Sequence, residues 1–347
     1  MTRAVFAIPG DKDRRTGGFI YEARVLDELN RAGCATAHLQ LPDSFPDPTP
    51  SAMAVTLAAL RAVPADQPII LDGLVFGAID PEGLSRVAAP VIAMVHHPLG
   101  LETGLDPKRA AFLRGNETAA LSHVAHVIVP SPETARLLAE DFGADPARIT
   151  VAPPGFDRPV VDRAPTELPL ILSVGLLAPR KGHDVLLDAL SHLTALPWQA
   201  QIVGKTHDAS YAAALHDQAR RLGLADRVAF VGEVGPEALN ARFNAASLFA
   251  LATRYEGYGM VLSEAMFYGL PIVSCAVGAV PATVGAAGRL VPPDDPAALA
   301  HALRAILTDA GEAARLGALS TAASAALPHW EDTARSFVDV ISALADA

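Results

Sequence analysis

The sequence predicts an α/β protein of two doubly wound domains, each a parallel sheet with helices on both faces. Three observations support this prediction. The chain has 347 residues, which is too long for one compact core and suits two domains. Short apolar runs alternate with helical patterns through most of its length, which is typical of parallel sheets with crossover helices. Five prolines within residues 151–169 interrupt that alternation.

In the first half, five apolar runs bounded by turn residues predict strands. A helix follows the first run and continues to about Arg31, with Val25, Leu26 and Leu29 on one face. Gly33 is its predicted stop, and helix-like stretches separate the later runs. The predicted strands are residues 4–8, 35–39, 69–72, 91–95 and 126–130.

The alternation of strands and helices restarts after the proline-rich stretch, which is hostile to a helix or a central strand and is therefore predicted to be a hinge. The predicted strands of the second half are residues 170–174, 199–203, 228–231, 248–252 and 272–274. Its predicted helices begin near Asp184 and then cover residues 212–222, 236–245, 260–268, 296–307, 313–327 and 330–345.

Composition and charge exclude several classes of protein. A hydrophobic content of 51% with a mean hydropathy of +0.28 excludes a disordered chain, and no window holds the roughly 18 uncharged apolar residues of a membrane span. The net charge of −11 lacks the basic excess of a nucleic-acid-binding protein. Cys34 and Cys275 stand alone, so no disulfide framework is predicted. The first apolar run is too short for a signal peptide, so we expect a cytoplasmic protein.

Three short patterns favour structural interpretations over ligand binding. Gly204-Lys205-Thr206 imitates the end of a P-loop, but residue 199 is Gln where the full motif needs Gly. Asp11-Lys12-Asp13 fits a solvated charge run better than a metal-binding motif. His123 and His126 have no third ligand nearby. We therefore expect no bound metal and no cofactor.

The strongest chemical signal lies in residues 253–271. A predicted strand ends there in a loop with Gly257 and Gly259, and a helix begins, whose N-terminal N–H groups attract phosphate. Glu256 and Glu264 stand eight residues apart, one in the loop and one in the helix. One carboxylate suits the hydroxyls of a ribose and the other those of a sugar. The alternative interpretation is an ordinary loop and helix.

A second signal is the pair Arg180-Lys181, which follows a predicted strand and precedes a predicted helix. Two cations at such a point suit the negative charge that develops on a leaving diphosphate. Lys181 is one of only four lysines in the chain. The alternative interpretation is a solvated turn.

These segments resemble those of the family 4 glycosyltransferases, which are retaining enzymes of the GT-B fold. Glu256 and Glu264 match the E-x7-E signature of that family, and residues 269–278 and 288–296 continue the match. Residues 173–182 resemble its phosphate-clamping turn, and residues 228–234 its nucleobase-contacting segment. The departures are Ala279 and Ala282, where Gly and Glu are common in the family.

The resemblance implies two Rossmann-like domains that face each other across a cleft, with a C-terminal helix that crosses back to the first. We predict residues 1–160 as the acceptor-side domain, 161–329 as the nucleotide-sugar domain and 330–347 as that helix. It further implies a metal-independent hexosyltransferase that uses a UDP- or GDP-linked donor. Transfer to a hydroxyl acceptor would retain the anomeric configuration by front-face attack, without an enzyme nucleophile.

The resemblance also assigns residues to roles. Arg180 and Lys181 would stabilise the leaving diphosphate, Glu264 would hold the ribose, Glu256 the sugar, and His96 would support the sugar hydroxyls. The predicted catalytic residues are His96, Glu256, Arg180 and Lys181. The predicted donor-binding residues are Gly17, Gly18, Gly175, Arg180, Lys181, Glu233, Val234, Glu256, Gly257, Tyr258, Gly259, Met260, Val261 and Glu264. The acceptor-side predictions are His97, Glu102, Arg14 and Arg15.

Alternatives to a transferase stay open at this stage. A sugar-nucleotide epimerase of the same fold, or a nucleotide-sugar-binding protein without catalysis, would share these motifs. The acceptor is expected to be a small molecule, a lipid-linked compound or a saccharide, and nucleic acid is not an expected partner. Docking at the inner face of the membrane is a further alternative. The candidates to meet an acidic head group are Arg14, Arg15, Lys108, Arg109 and Arg114. The sequence does not predict an oligomeric state.

Overall fold

The protein, described over residues 3–345 in a computed structural model, folds as two compact units. Unit 1 runs to Phe156 and resumes at Pro328, and unit 2 is Asp157–Leu327. The sequence places these boundaries at residues 160 and 330. Each unit is built on a six-stranded sheet in which every strand pair is parallel. The prediction of two doubly wound α/β domains is therefore confirmed.

Unit 1 contains the first six strands of the chain, and their order across the sheet is β2-β1-β3-β4-β5-β6. They are β1 (Arg3–Pro9), β2 (Ala35–Leu41), β3 (Ile69–Asp72), β4 (Val91–Met94), β5 (His126–Val129) and β6 (Ile149–Val151). The helices between them are α1 (Gly17–Arg31), α2 (Pro50–Arg61), α3 (Gly73–Phe76), α4 (Pro81–Leu84), α5 (Pro107–Leu121) and α6 (Pro132–Phe142).

Unit 2 repeats this design with the order β12-β11-β10-β7-β8-β9. Its strands are β7 (Leu170–Val174), β8 (Gln199–Val203), β9 (Val228–Gly232), β10 (Leu248–Leu251), β11 (Ile272–Cys275) and β12 (Gly288–Val291). Its helices are α7 (His183–Ser191), α8 (Ala209–Arg221), α9 (Pro236–Ala245), α10 (Met260–Phe267), α11 (Val280–Val284), α12 (Pro296–Thr308) and α13 (Ala310–Ser324).

The apolar residues of the sequence form packed layers on both faces of these sheets. In unit 2 one layer packs around Trp198 and the helices α7, α8 and α12, and the other around Phe249 and the helices α9, α10 and α11. Strands β4 and β10 are buried along their whole length, as expected when helices cover both faces of a parallel sheet. Within residues 3–345, no helix combines the length and the apolarity needed to cross a membrane.

The last helix, α14 (Trp330–Ala345), belongs to unit 1, so the predicted crossing back to the first domain is confirmed. Its Trp330 ring lies edge-on to Tyr21 of α1, with the ring centroids 5.8 Å apart. Thr333 Oγ1 donates to the carbonyl of Pro153 at 2.7 Å. Gly155 makes this packing possible, because a Cβ at that position would lie 2.3 Å from the Trp330 backbone.

The main misses of the sequence prediction have local physical causes. Strand β6 escaped prediction because it lies at the edge of the sheet beside the proline-rich hinge, and β12 because it begins with Gly-Arg. Helices α8 and α13 both begin three residues before their predicted starts. In each case an aspartate side chain caps the helix by accepting two backbone N–H bonds, Asp208 for α8 and Asp309 for α13.

Candidate functional site

The order of the strands in unit 2 reverses at the boundary between β7 and β10. Strands β8 and β9 continue from β7 in one direction, while β10, β11 and β12 lie in the other. In open parallel sheets, the loops at the carboxyl ends of two such strands diverge and leave a crevice that binds ligands. The two loops here are the ones that carry Arg180-Lys181 and Glu256.

Three side chains meet at this point and are called the charge cluster below: Arg180, Lys181 and Glu256. Lys181 Nζ lies 2.5 Å from Glu256 Oε1, and Arg180 Nη1 lies 3.6 Å from Glu256 Oε2. The Lys181 and Glu256 side chains are only 12% and 7% exposed. Burial raises the pKa of Glu256, but Lys181, Arg180 and a hydrogen bond from Thr253 Oγ1 together outweigh burial, so that the pKa lies below its usual value. The cluster therefore holds a buried carboxylate between two cations at neutral pH.

The backbone turn that carries Arg180 and Lys181 packs closely against the end of strand β10. Gly182 has a φ of 64°, and a Cβ there would lie 1.9 Å from the Ala252 carbonyl oxygen. Only glycine fits this position, because the left-handed conformation and the contact both exclude a side chain. The close approach brings Lys181 within reach of Glu256.

Arg254 joins the two loops through hydrogen bonds, although no role was predicted for it from the sequence. Its backbone N–H donates to the Arg180 carbonyl at 2.8 Å, and its guanidinium donates to both oxygens of Asp184 at 3.0 and 2.7 Å. Its Nε donates to Asp294 at 2.8 Å. The signal in the sequence was an arginine placed two residues before Glu256, where its neighbours are Thr253 and Tyr255.

Glu264 has a different environment from Glu256. It lies on α10, whose N-cap residue Gly259 has a φ of 87°, and whose first N–H groups have no partner within the helix. The Glu264 carboxyl is partly buried and forms no hydrogen bond or ion pair with other described residues. Burial raises its pKa to about 7. The two glutamates of the E-x7-E pattern therefore differ, one balanced by cations and one without a cation.

The remaining donor-binding predictions of unit 2 are distributed along the carboxyl edge of its sheet. Gly175 follows β7, and a Cβ there would lie 3.3 Å from the Lys181 side chain. Glu233 and Val234 follow β9, two strands away from β7, with Glu233 exposed. The loop and first turn leading into α10 contain Gly257, Tyr258, Gly259, Met260 and Val261.

In unit 1 the strand order also reverses, between β1 and β3, and His96 follows the next strand, β4. His96 Nε2 lies 3.3 Å from Glu22 Oε1, and the carboxyls of Glu22 and Asp72 influence each other's pKa. Gly18, next to Gly17 at the start of α1, lies over the His96 ring, since a Cβ there would be 3.4 Å from His96 Cδ2. Glu22 and Asp72 were not predicted from the sequence, where their only signals were a position on the buried face of an amphipathic helix and a position at a strand end.

Burial determines the protonation states of Glu22, Asp72 and His96. It raises the pKa of Glu22 to about 7 and that of Asp72 well above its usual value. It lowers the pKa of His96 to about 4, although Asp72 acts in the opposite direction. The imidazole is therefore neutral at neutral pH, and the two carboxyls hold a proton between them.

Three of the four acceptor-side predictions lie in charged pairs within unit 1. His97 Nε2 lies 3.7 Å from Glu102 Oε2. Arg14 pairs with Asp43, and Arg15 is exposed. Among residues 3–345, no group of three or more His, Cys, Asp or Glu side chains is arranged to hold a metal ion.

Comparison with protein families gives two matches on successive parts of the chain. The model "Glycosyltransferase Family 4" matches residues 76–158, and "Glycosyl transferases group 1" matches residues 168–309. The D-inositol 3-phosphate glycosyltransferase of Xylanimonas cellulosilytica is 34% identical over 236 residues, which cover 62% of this chain and 56% of the relative. Four relatives with that activity in their names are matched over only 54 to 65% of their own length.

Solved structures resemble this chain over nearly its whole length. Sucrose-phosphate synthase from Thermosynechococcus elongatus superposes with a TM-score of 0.85 at 23% identity, covering 99% of both chains. HepE of Anabaena, in complex with UDP and glucose, superposes with a TM-score of 0.76 at 18% identity, also covering 99% of both chains. These similarities confirm the GT-B fold. The two family models and relatives that are 30 to 34% identical show that the chain belongs to the family 4 glycosyltransferases.

Proposed function

We propose that this chain is a retaining glycosyltransferase that moves a hexose from a nucleotide-diphosphate sugar to a hydroxyl acceptor. The observation that supports it most is the charge cluster at the strand reversal of unit 2. Two cations lie there at low exposure, beside the N-terminus of a helix that follows the neighbouring strand. Such an arrangement suits a diphosphate that gains charge as it leaves.

In the proposed reaction, the bond from the sugar C1 to the diphosphate oxygen breaks, and a bond from C1 to the acceptor oxygen forms on the same face. The acceptor proton passes to the departing diphosphate. Because the acceptor oxygen bonds to C1 directly, no enzyme nucleophile takes part. Lys181 and Arg180 stabilise the negative charge, and their low exposure strengthens that interaction. Glu256 holds both cations in place and accepts a hydrogen bond from a sugar hydroxyl. No metal ion or cofactor is proposed.

We propose a UDP-linked hexose as the first donor to test, because the related HepE structure contains UDP and glucose. A GDP-linked hexose is the second. For the acceptor, the name of the curated relatives directs attention to D-inositol 3-phosphate. Unit 1 is proposed as the acceptor-side domain, and a lipid-linked acceptor at the inner membrane face is an alternative.

Donor binding is the first measurement that tests this proposal. We expect UDP-glucose or GDP-mannose at 100 times its dissociation constant to stabilise the protein by about 2.7 kcal/mol, which raises the melting temperature by roughly 5 to 10 °C. Transfer to D-inositol 3-phosphate is then followed by proton NMR, which also reports the anomeric configuration. A protein that no nucleotide sugar stabilises would contradict the proposal. Epimerised donor formed without an acceptor would support the epimerase instead.

The environment of Glu264 predicts how donor affinity depends on pH. Ribose hydroxyls donate hydrogen bonds to a carboxylate, so binding favours the ionised form of a group whose pKa is about 7. The dissociation constant of UDP-glucose should therefore rise about tenfold between pH 8 and pH 6. Glu256 adds no slope there, because its pKa lies below the usual value. Calorimetric titration of Glu264→Gln should lose most of this change, and a variant that keeps the full tenfold change would exclude the role.

A further inference from the structure

We infer that Glu22 is a positioning residue that acts through His96, by fixing which ring nitrogen carries the proton and how the ring is oriented. This inference rests on the proposed function, in which His96 supports the hydroxyls of the donor sugar. Every contact that supports it lies within unit 1.

The position of Glu22 calls for an explanation beyond packing. Its side chain is 1% exposed on α1, a helix whose other buried residues include Phe19, Val25 and Leu26. A carboxyl at such a place is unfavourable unless polar groups surround it. Glu22 Oε1 lies 3.3 Å from His96 Nε2, and Glu22 Oε2 has no hydrogen-bond partner among the described residues.

Burial raises the pKa of Glu22 and of Asp72, and the charge of Glu22 raises that of Asp72 further, so the two carboxyls together hold a proton at neutral pH. Asp72 is fixed in turn, since its Oδ1 accepts the backbone N–H bonds of Leu74 at 2.8 Å and Val75 at 3.2 Å. With one proton shared between the two carboxyls, Glu22 Oε1 remains an acceptor. His96 Nε2 must then be the donor in the contact with Glu22.

This assignment determines what His96 presents to a ligand. A neutral ring with its proton on Nε2 leaves Nδ1 as an acceptor for a hydroxyl group. The ring cannot turn freely, because Tyr21 packs edge-on against it with centroids 5.0 Å apart and Gly18 lies over it. Tyr21 is itself held, since its hydroxyl donates to the Ala152 carbonyl at 2.8 Å. Within the described residues, Glu22 and Tyr21 contact His96, and Asp72 acts on it electrostatically.

The test combines activity with a direct measurement of the tautomer. In the wild-type protein, ¹⁵N NMR should show His96 protonated on Nε2. Glu22→Met keeps the side-chain volume but removes the acceptor, so the signal should shift to a mixture of tautomers. Turnover should fall about 10- to 100-fold, while the KM for the donor changes less than threefold. Glu22→Gln retains an acceptor oxygen and should restore the Nε2–H tautomer and most of the turnover.

Glu28→Gln is the matched control, because Glu28 is a buried glutamate on the same helix that pairs with Arg31 instead. It should change neither readout. His96 protonated on Nδ1 in the wild-type protein would overturn the inference without any variant, as would an unchanged tautomer in Glu22→Met. If the chain transfers no sugar, the NMR result still decides whether Glu22 fixes His96, so the failure of the proposed function and the failure of this inference are distinguishable.

Discussion

Replacing Lys181 with alanine should lower the rate of sugar transfer by about 10²- to 10³-fold, the range seen when one preorganised charge-stabilising group is removed. Lys181 Nζ lies 2.5 Å from Glu256 Oε1, and the Lys181 side chain is mostly shielded from water. We therefore expect no cation from solution to take its place in the variant. The loss should appear mainly in turnover, because the interaction strengthens as the diphosphate departs. Initial-rate measurements with a saturating donor are the check.

Lys205→Ala is the control for this prediction. Lys205 is an exposed lysine of the same unit, and it follows the neighbouring strand β8. Its variant should retain the wild-type rate. A Lys181→Ala enzyme that works at near wild-type rate would remove the charge cluster from the mechanism, as would an equal loss in both variants.

The fold was predictable because its strands are apolar runs of about five residues between clear turn signals. Predicted strands 69–72, 170–174 and 199–203 coincide with β3, β7 and β8. The order of the strands across each sheet was not readable in the same way, because it is decided by contacts between distant parts of the chain. The reversal at β7 and β10 emerges only from the pairing of Leu248 with Ile171.

The candidate site was predictable where chemistry and local sequence coincide. Arg180, Lys181 and Glu256 stand in short motifs, and the structure brings them together. Glu22 and Asp72 were missed, because a buried carboxyl pair is created by a helix and a strand about 50 residues apart and no local pattern encodes it. The roles of all these residues stay predictions until the variants are measured.

Removing one member of the charge cluster should also lower the stability of unit 2 strongly. Glu256→Ala removes the carboxylate that lies beside two cations at low exposure, which should reduce the free energy of unfolding by about 3 to 5 kcal/mol. Adding Lys181→Ala should then cost less than it does alone, with a coupling of about 1 to 3 kcal/mol. The exposed pair Arg220–Asp217 on α8 is the control, and its coupling should stay below about 1 kcal/mol.

The two tryptophans make this measurement specific to one unit. Trp198 is fully buried in unit 2, whereas Trp330 lies in unit 1, so a Trp330→Phe background leaves Trp198 as the only indole reporter. Urea unfolding followed by the fluorescence of Trp198 then gives the free energies of the cycle. If the double variant loses as much stability as the two single variants together, Lys181 and Glu256 do not stabilise each other.

Stability measured with UDP separates a structural ion pair from a diphosphate site. UDP has no sugar, so the proposed contact of Glu256 with a sugar hydroxyl does not enter. If Lys181 and Arg180 bind the diphosphate, UDP supplies negative charge that replaces part of the charge removed with Glu256. UDP should therefore raise the melting temperature of Glu256→Ala by more than it raises that of the wild-type protein. An equal or smaller increase would mean that the two cations serve the fold and that the diphosphate binds elsewhere.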